Sequence, residues 1–282
     1  MSPAKRAILT GMTLAAAAFA MGRMPRPDLE LAQAYPNGLR FGYAVEAPYA
    51  FVDERGRVTG AIPELARLVA QRLNLPVTFV QTDFGALIDQ LEEQRFDVVV
   101  SGLFITPERA RRVRFSIPTF RAGDAALVRS GNPKDLHSLQ DVKDRDAGVA
   151  VLASSVEEAL ARRAGIPHER VIVVPDAAAA RRAVEAGRAD LLLNSEPTVR
   201  WIASRDAAHV FDVADPFHAG EAAARLGAFA LRQSDLALAE AWNRALDDIV
   251  GSPEHLALVE PFGFTWRFLP PDAKTSLART TP

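Results

Sequence analysis

Residues 101–109, SGLFITPER, directly follow the apolar run FDVVV at 96–100 and carry the strongest chemical signal in the chain. The spacing predicts a buried strand, a short loop and a helix opened by Pro107, where proline's missing N–H costs nothing. The loop and the helix start would aim backbone donors at one point, and Arg109 would bring a guanidinium fork to the same place. A planar carboxylate accepts that fork through two parallel charge-assisted bonds. Phe104 stands between the strand end and Arg109, and Tyr49 follows Pro48 in the loop after the first strand, a position suited to lining a cleft. A surface arginine on an ordinary βα turn accounts for the same run, and core packing accounts for Phe84 and Phe104.

A second cluster is SSVEE at 154–158. Ser155 as N-cap with Glu158 three residues on forms a capping box. Backbone N–H groups at that helix start, led by Ser154, suit an anion held from the far side of a cleft. Helix capping alone explains the same residues.

These groups need elements to hold them. Strands are predicted over 39–43, 77–80 and 96–100, with amphipathic helices over 63–74 and 84–95 between them. The pattern returns with strands at 148–152, 171–174 and 190–193, helices at 155–163 and 177–186, a strand at 229–232 and closing helices at 235–250 and 253–262. Alternation of this kind predicts βαβ units and a parallel sheet in each of two α/β lobes. Residues 119–123 are read as the crossing into the second lobe and 221–226 as the return. One lobe is then built from 38–119 and 226–265, the other from 123–221, with 266–282 as a tail. A single doubly wound sheet would need longer helical connections across 115–147. Ligands of such sheets bind at the carboxyl ends of strands, where Phe104 and Arg109 follow.

Composition narrows the function. The chain has 282 residues, 49% of them hydrophobic, and a net charge of −2 that gives no reason to expect nucleic acid as a partner. Lys5 and Arg6, the apolar stretch 7–17 and the Ala18–Phe19–Ala20 site predict an export signal cleaved near Ala20, or, as a rival, an uncleaved anchor. Cysteine is absent, which excludes thiol catalysis, cysteine metal sites and a lipidated N-terminal cysteine. The five histidines are isolated, so no metal is expected. No GxxxxGK[ST], GxGxxG or GxSxG motif occurs, and no cofactor is expected. Trp201 and Trp242 are read as core residues. The expected product is a non-enzymatic, monomeric protein of the periplasm.

The segments LRFGYAVEAPYAF, GRVTGAIPELARLVAQRLN, QRFDVVVSGLFITPERARRVRFSIPTF and VEAGRADLLLN resemble the family-3 extracytoplasmic solute-binding proteins of ABC importers over residues 38–265. VEAPYAF, FGALI, GLFITPER, GNPKDLHSLQDV and VEPFGFT are similar to the ectoine/hydroxyectoine-binding branch. The resemblance implies the two-lobed type II periplasmic-binding fold, a membrane permease as partner, and lobe closure over a small zwitterion. It implies that Arg109 holds a carboxylate, that Glu46 faces the cationic part, and that Tyr49, Phe84 and Phe104 form an aromatic cage. An Asp that pairs with an α-ammonium in amino acid receptors is replaced here by Asn194 and Ser195, with Glu196 next, and Glu196 could swing in to restore the charge. Ectoine's cation is delocalised over N–C–N and suits ring faces plus one carboxylate. Betaines and cyclic imino acids meet the same logic. Rival readings are a polar amino acid receptor and a cyclohexadienyl dehydratase-like enzyme using Glu46 or Glu196 as general acid.

Overall fold

Two five-stranded mixed sheets carry the chain's apolar runs in a computed structural model that describes residues 27–220 and 224–273. In the first sheet, Leu39–Tyr43 pairs in parallel with Val77–Gln81 and with Val98–Val99, and Ala230–Arg232 then runs antiparallel between Val98–Val99 and Val113–Phe115. In the second, Val149–Leu152 is flanked in parallel by Val171–Val174 and Leu191–Ser195, while Asp124–Arg129 runs antiparallel to Leu191–Ser195 and to Phe211–Ala214. This is the two-lobed α/β architecture. The expected wholly parallel sheets hold for three strands in each lobe. The strand that enters each sheet from the other lobe runs the opposite way, because no crossover helix of that lobe precedes it.

Helix Ala61–Arg72 buries Ile62, Leu65, Ala66, Val69 and Ala70 on one face, the three-and-four spacing visible in the sequence. Strand Leu191–Ser195 is buried at every position, as expected for a strand covered on both faces. Ser138, Ser155, Asp176 and Ser252 cap their helices, each accepting from the backbone N–H three residues on. Asp97 fastens three strands of the first lobe. It accepts from Arg40 N at 2.9 Å, Arg40 Nη2 at 2.8 Å and Arg232 Nη2 at 3.0 Å. Although burial opposes its charge, these donors hold its carboxyl below the usual range.

Several expectations are corrected. The helix at 84–95 is a 3-10 turn, Phe84–Ala86, followed by Leu87–Glu92. A helix, Pro27–Ala34, precedes the first strand. Strands Val113–Phe115, Asp124–Arg129 and Phe211–Ala214 are absent from the sequence reading. Only Gly123 separates Asp124–Arg129 from the crossing strand Phe120–Ala122, so the two read as one stretch. Trp242 is fully buried, but Trp201 is not in the core: it stands half-buried with Arg205 Cζ 3.1 Å above its ring centroid. The export signal, residues 221–223 and the tail from 274 lie outside the described residues. Among the described residues no helix is long and apolar enough to cross a membrane.

The two crossings form a ribbon, Phe120–Ala122 antiparallel to Arg225–Gly227. The ribbon is held by Arg225 Nη1, which donates to both oxygens of Asp124 at 2.7 and 2.9 Å. Gly102 permits the packing beside it, since a Cβ there would lie 2.6 Å from the Tyr49 ring. Gly102→Ala should therefore push Tyr49 off its seat and cost about 1–3 kcal/mol of stability. Urea unfolding measures this, and a variant as stable as the parent would show that the ring moves freely.

Candidate functional site

Thr106 caps the single helical turn Pro107–Ala110, accepting from Arg109 N at 3.2 Å, and so fixes the backbone from which Arg109 projects. The side chain folds back over its own loop. Nη1 donates to Phe104 O at 2.8 Å, and the guanidinium carbon lies 5.7 Å from the Phe84 ring centroid. Nη2 crosses the cleft and donates to Ser154 O, in the second lobe, at 3.0 Å. Two of the five guanidinium donors are thus used among the described residues, and the remaining fork could serve an anion. Burial lowers the arginine's pKa, while nearby acids, Glu157 first, raise it.

Glu46 is buried in the loop after the first strand, where its backbone N–H and C=O pair with Ala50. Its Oε1 accepts from Thr198 Oγ1 of the second lobe at 3.0 Å, and the Thr198 hydroxyl in turn accepts from Ser195 Oγ at 3.3 Å. Burial raises the Glu46 pKa to about 7, against the opposing hydrogen bonds from Thr198 and Asn194 and the charge of Arg109. Glu46 and Arg109 feel each other's charge, yet among the described residues they make no ion pair with one another. Two openings flank them. One, of about 820 Å³, is lined by Phe84, Thr106, Arg109, Ser154, Ser155 and Arg225; the other, of about 450 Å³, by Val45, Glu46, Arg181, Trp201 and Arg205.

The aromatic residues do not all converge. Tyr49 is buried, with ring centroids 5.1 Å from Phe120 and 5.2 Å from Phe264, and Phe104 lies 5.7 Å from Phe120. Phe120, on the crossing strand, therefore joins Tyr49 to Phe104, whereas Phe84 lies apart under Arg109. The Tyr49 hydroxyl is enclosed near Ser195 without a hydrogen bond of good geometry, and burial pushes its pKa up. Ser155 Oγ accepts from Glu158 N at 3.1 Å, and Glu158 Oε2 accepts from Ser154 N at 2.8 Å. The Ser154 N–H is therefore spent on the helix cap, and it is the Ser154 carbonyl that meets Arg109. Glu196 does not swing toward the site, because Arg200 Nε and Arg267 Nη2 hold its Oε1 at 2.7 and 2.8 Å.

Sequence reasoning missed Thr198, Phe120 and Glu157. Thr198 stands in the first turn after Ser195, a position that signals only helix capping. Phe120 reads as a strand residue. Glu157, buried at the start of helix Val156–Arg163, reads as one more solvated acid. Among the described residues no group of His, Cys, Asp and Glu is arranged to hold a metal ion.

The chain is 30% identical over 228 residues to a probable amino-acid ABC transporter periplasmic-binding protein of Sinorhizobium fredii, covering 78% of this chain and 75% of that one. A cyclohexadienyl dehydratase of Pseudomonas aeruginosa is 27% identical over 146 residues, 52% of this chain and 54% of the enzyme. Among solved structures, EhuB in complex with hydroxyectoine superposes with a TM-score of 0.78 at 32% identity, over 85% of this chain and 94% of that one. The model of the bacterial extracellular solute-binding proteins, family 3, matches residues 39–264, and this chain belongs to that family.

Proposed function

We propose that this protein is the periplasmic receptor of an ABC importer for a small zwitterion with a delocalised cation, of the ectoine and hydroxyectoine class. The observation that carries this reading is the separation of Arg109 from Glu46. A guanidinium and a carboxylate are each bonded across to the second lobe, and among the described residues neither is paired with the other. A zwitterion placed between them would meet its carboxylate's partner at Arg109 and its cation's partner at Glu46. Phe104 and Tyr49, linked by Phe120, would supply ring faces to the cation, and Ser195 acts through Thr198 on the Glu46 carboxylate. Closure would exclude water and strengthen each contact. The likeness to the hydroxyectoine complex supports the ligand class, and Asn194 in place of an acid disfavours an α-ammonium.

Calorimetric titration tests the reading with ectoine, hydroxyectoine, glycine betaine, proline and L-glutamine as probes. Ectoine or hydroxyectoine should bind at least about tenfold more tightly than the others. Tighter binding of glutamine would replace this reading with an amino acid receptor.

A second reading rests on the raised pKa of Glu46, about 7, the protonation state a general acid needs at neutral pH. With Glu196 held by two arginines, Glu46 is the residue that would serve. Turnover of prephenate or arogenate would establish the enzyme.

A further inference from the structure

Helix Glu196–Ser204 of the second lobe has two working faces. Val199, Ile202 and Ala203 pack into that lobe's own core with Val184, Leu192 and Phe211. Thr198, Trp201 and the C-cap Arg205, three and four residues apart, form a separate stripe along the helix. Two members of this stripe meet the first lobe. Thr198 reaches Glu46, and the Trp201 ring centroid lies 5.5 Å from that of Phe51, the planes inclined at 52°. Phe51 begins the hairpin that follows the Glu46 loop and is backed by Phe262, their ring centroids 6.1 Å apart. Arg205 lies over the indole, its Cζ 3.1 Å from the ring centroid.

These contacts across the lobes differ in weight. Glu196 also takes a bond from Arg267 at 2.8 Å, but Arg267 is half-exposed there, and water screens such a pair to little net value. The bond from Thr198 to Glu46 belongs to the ligand site already described. The ring contact is apolar, so parting the lobes would return both faces to water. Phe51 lines neither of the two openings beside Arg109 and Glu46.

We propose that Trp201 and Phe51 are positioning residues that set how tightly this receptor holds its ligand, through closure and not through ligand contact. A ligand that binds the closed form is held in proportion to that form's population, so loss of the ring contact weakens every such ligand by one common factor. Residues that touch the ligand discriminate between ligands, and this pair does not. The inference rests on the reading of the protein as a receptor that closes, and not on the identity of its ligand.

Titration calorimetry of Trp201→Ala, Phe51→Ala and the double variant tests the pair with ectoine and hydroxyectoine as probes. Each single change should weaken both probes alike, by about tenfold. The double variant should lose no more than about the same tenfold, because the second change removes a contact already gone. Trp201→Phe, which keeps a ring, should recover most of the affinity. Melting temperatures of the ligand-free variants show that each still folds. Losses that multiply in the double variant, or an affinity unchanged in Phe51→Ala, overturn the inference. So does a loss that differs between probes, which would place Trp201 against the ligand. If neither probe binds, the zwitterion reading fails, and L-glutamine and L-arginine take their place in the same cycle. If none of the four binds, crosslinking decides. The chain has no cysteine, so Phe51→Cys with Trp201→Cys supplies the only two thiols that a short bis-maleimide can join. An internally crosslinked monomer is expected, and failure to form one overturns the contact.

Discussion

Arg109→Ala is expected to weaken any carboxylate-bearing ligand by at least a hundredfold. The residue supplies the cleft's guanidinium, and loss of one partner of a buried charge-assisted contact costs about 2–5 kcal/mol. The variant also removes the bond from Nη2 to Ser154 O, so the lobes lose one of their links across the cleft. Arg109→Lys separates the two effects. A lysine keeps the charge but not the planar fork, and should recover only part of the affinity. Titration calorimetry measures the binding, and the melting temperature of the ligand-free variants shows whether the fold survives. A ligand that binds Arg109→Ala as tightly as the parent would show that its carboxylate lies elsewhere.

The second large effect is expected at Glu46, with its dependence on pH. Glu46→Ala removes the carboxylate that receives Thr198 from the other lobe and should weaken a cation-bearing zwitterion by about two powers of ten. In the closed arrangement Glu46 has a pKa of about 7, above its ordinary 4.5. A carboxylate raised in this way favours closure fully below pH 4.5, and that contribution is lost as the pH rises through 7. The ligand-free lobes should therefore open progressively between about pH 5 and 8, followed as an increase in radius of gyration by X-ray scattering. Glu46→Gln should remove much of this response and leave the part due to Glu157, which extends to about pH 8. A radius that does not change with pH in the parent would place Glu46 in water.

The position of Arg109 was legible without coordinates because its neighbours are local. Thr106 caps the turn, Pro107 starts it and Phe104 offers its carbonyl, all within six residues. Helix Ala61–Arg72 was legible because one buried face writes its period into the sequence. The cage was legible only in part. Tyr49 and Phe104 meet through Phe120, which lies 16 residues beyond Phe104 on the crossing strand, and no local pattern marks that ring as different from a core phenylalanine.

By itself the sequence determined the alternating strands and helices of the two-lobed architecture, the turn that carries Arg109 and the Ser155 cap, since each follows from contacts between residues close along the chain. The tertiary structure alone decided the mixed direction of the sheets, the half-burial of Trp201, the capture of Glu196 by Arg200 and Arg267, the burial of Glu157 and the arrival of Thr198 at Glu46. Glu157 and Glu158 show why. Both are acids in the first turn of one helix, yet one bonds to Ser154 N and Arg162 while the other is buried, its charge opposed by desolvation and by Asp124. Adjacent residues on a helix point about 100° apart, and only the packing of a second lobe decides which direction is solvent.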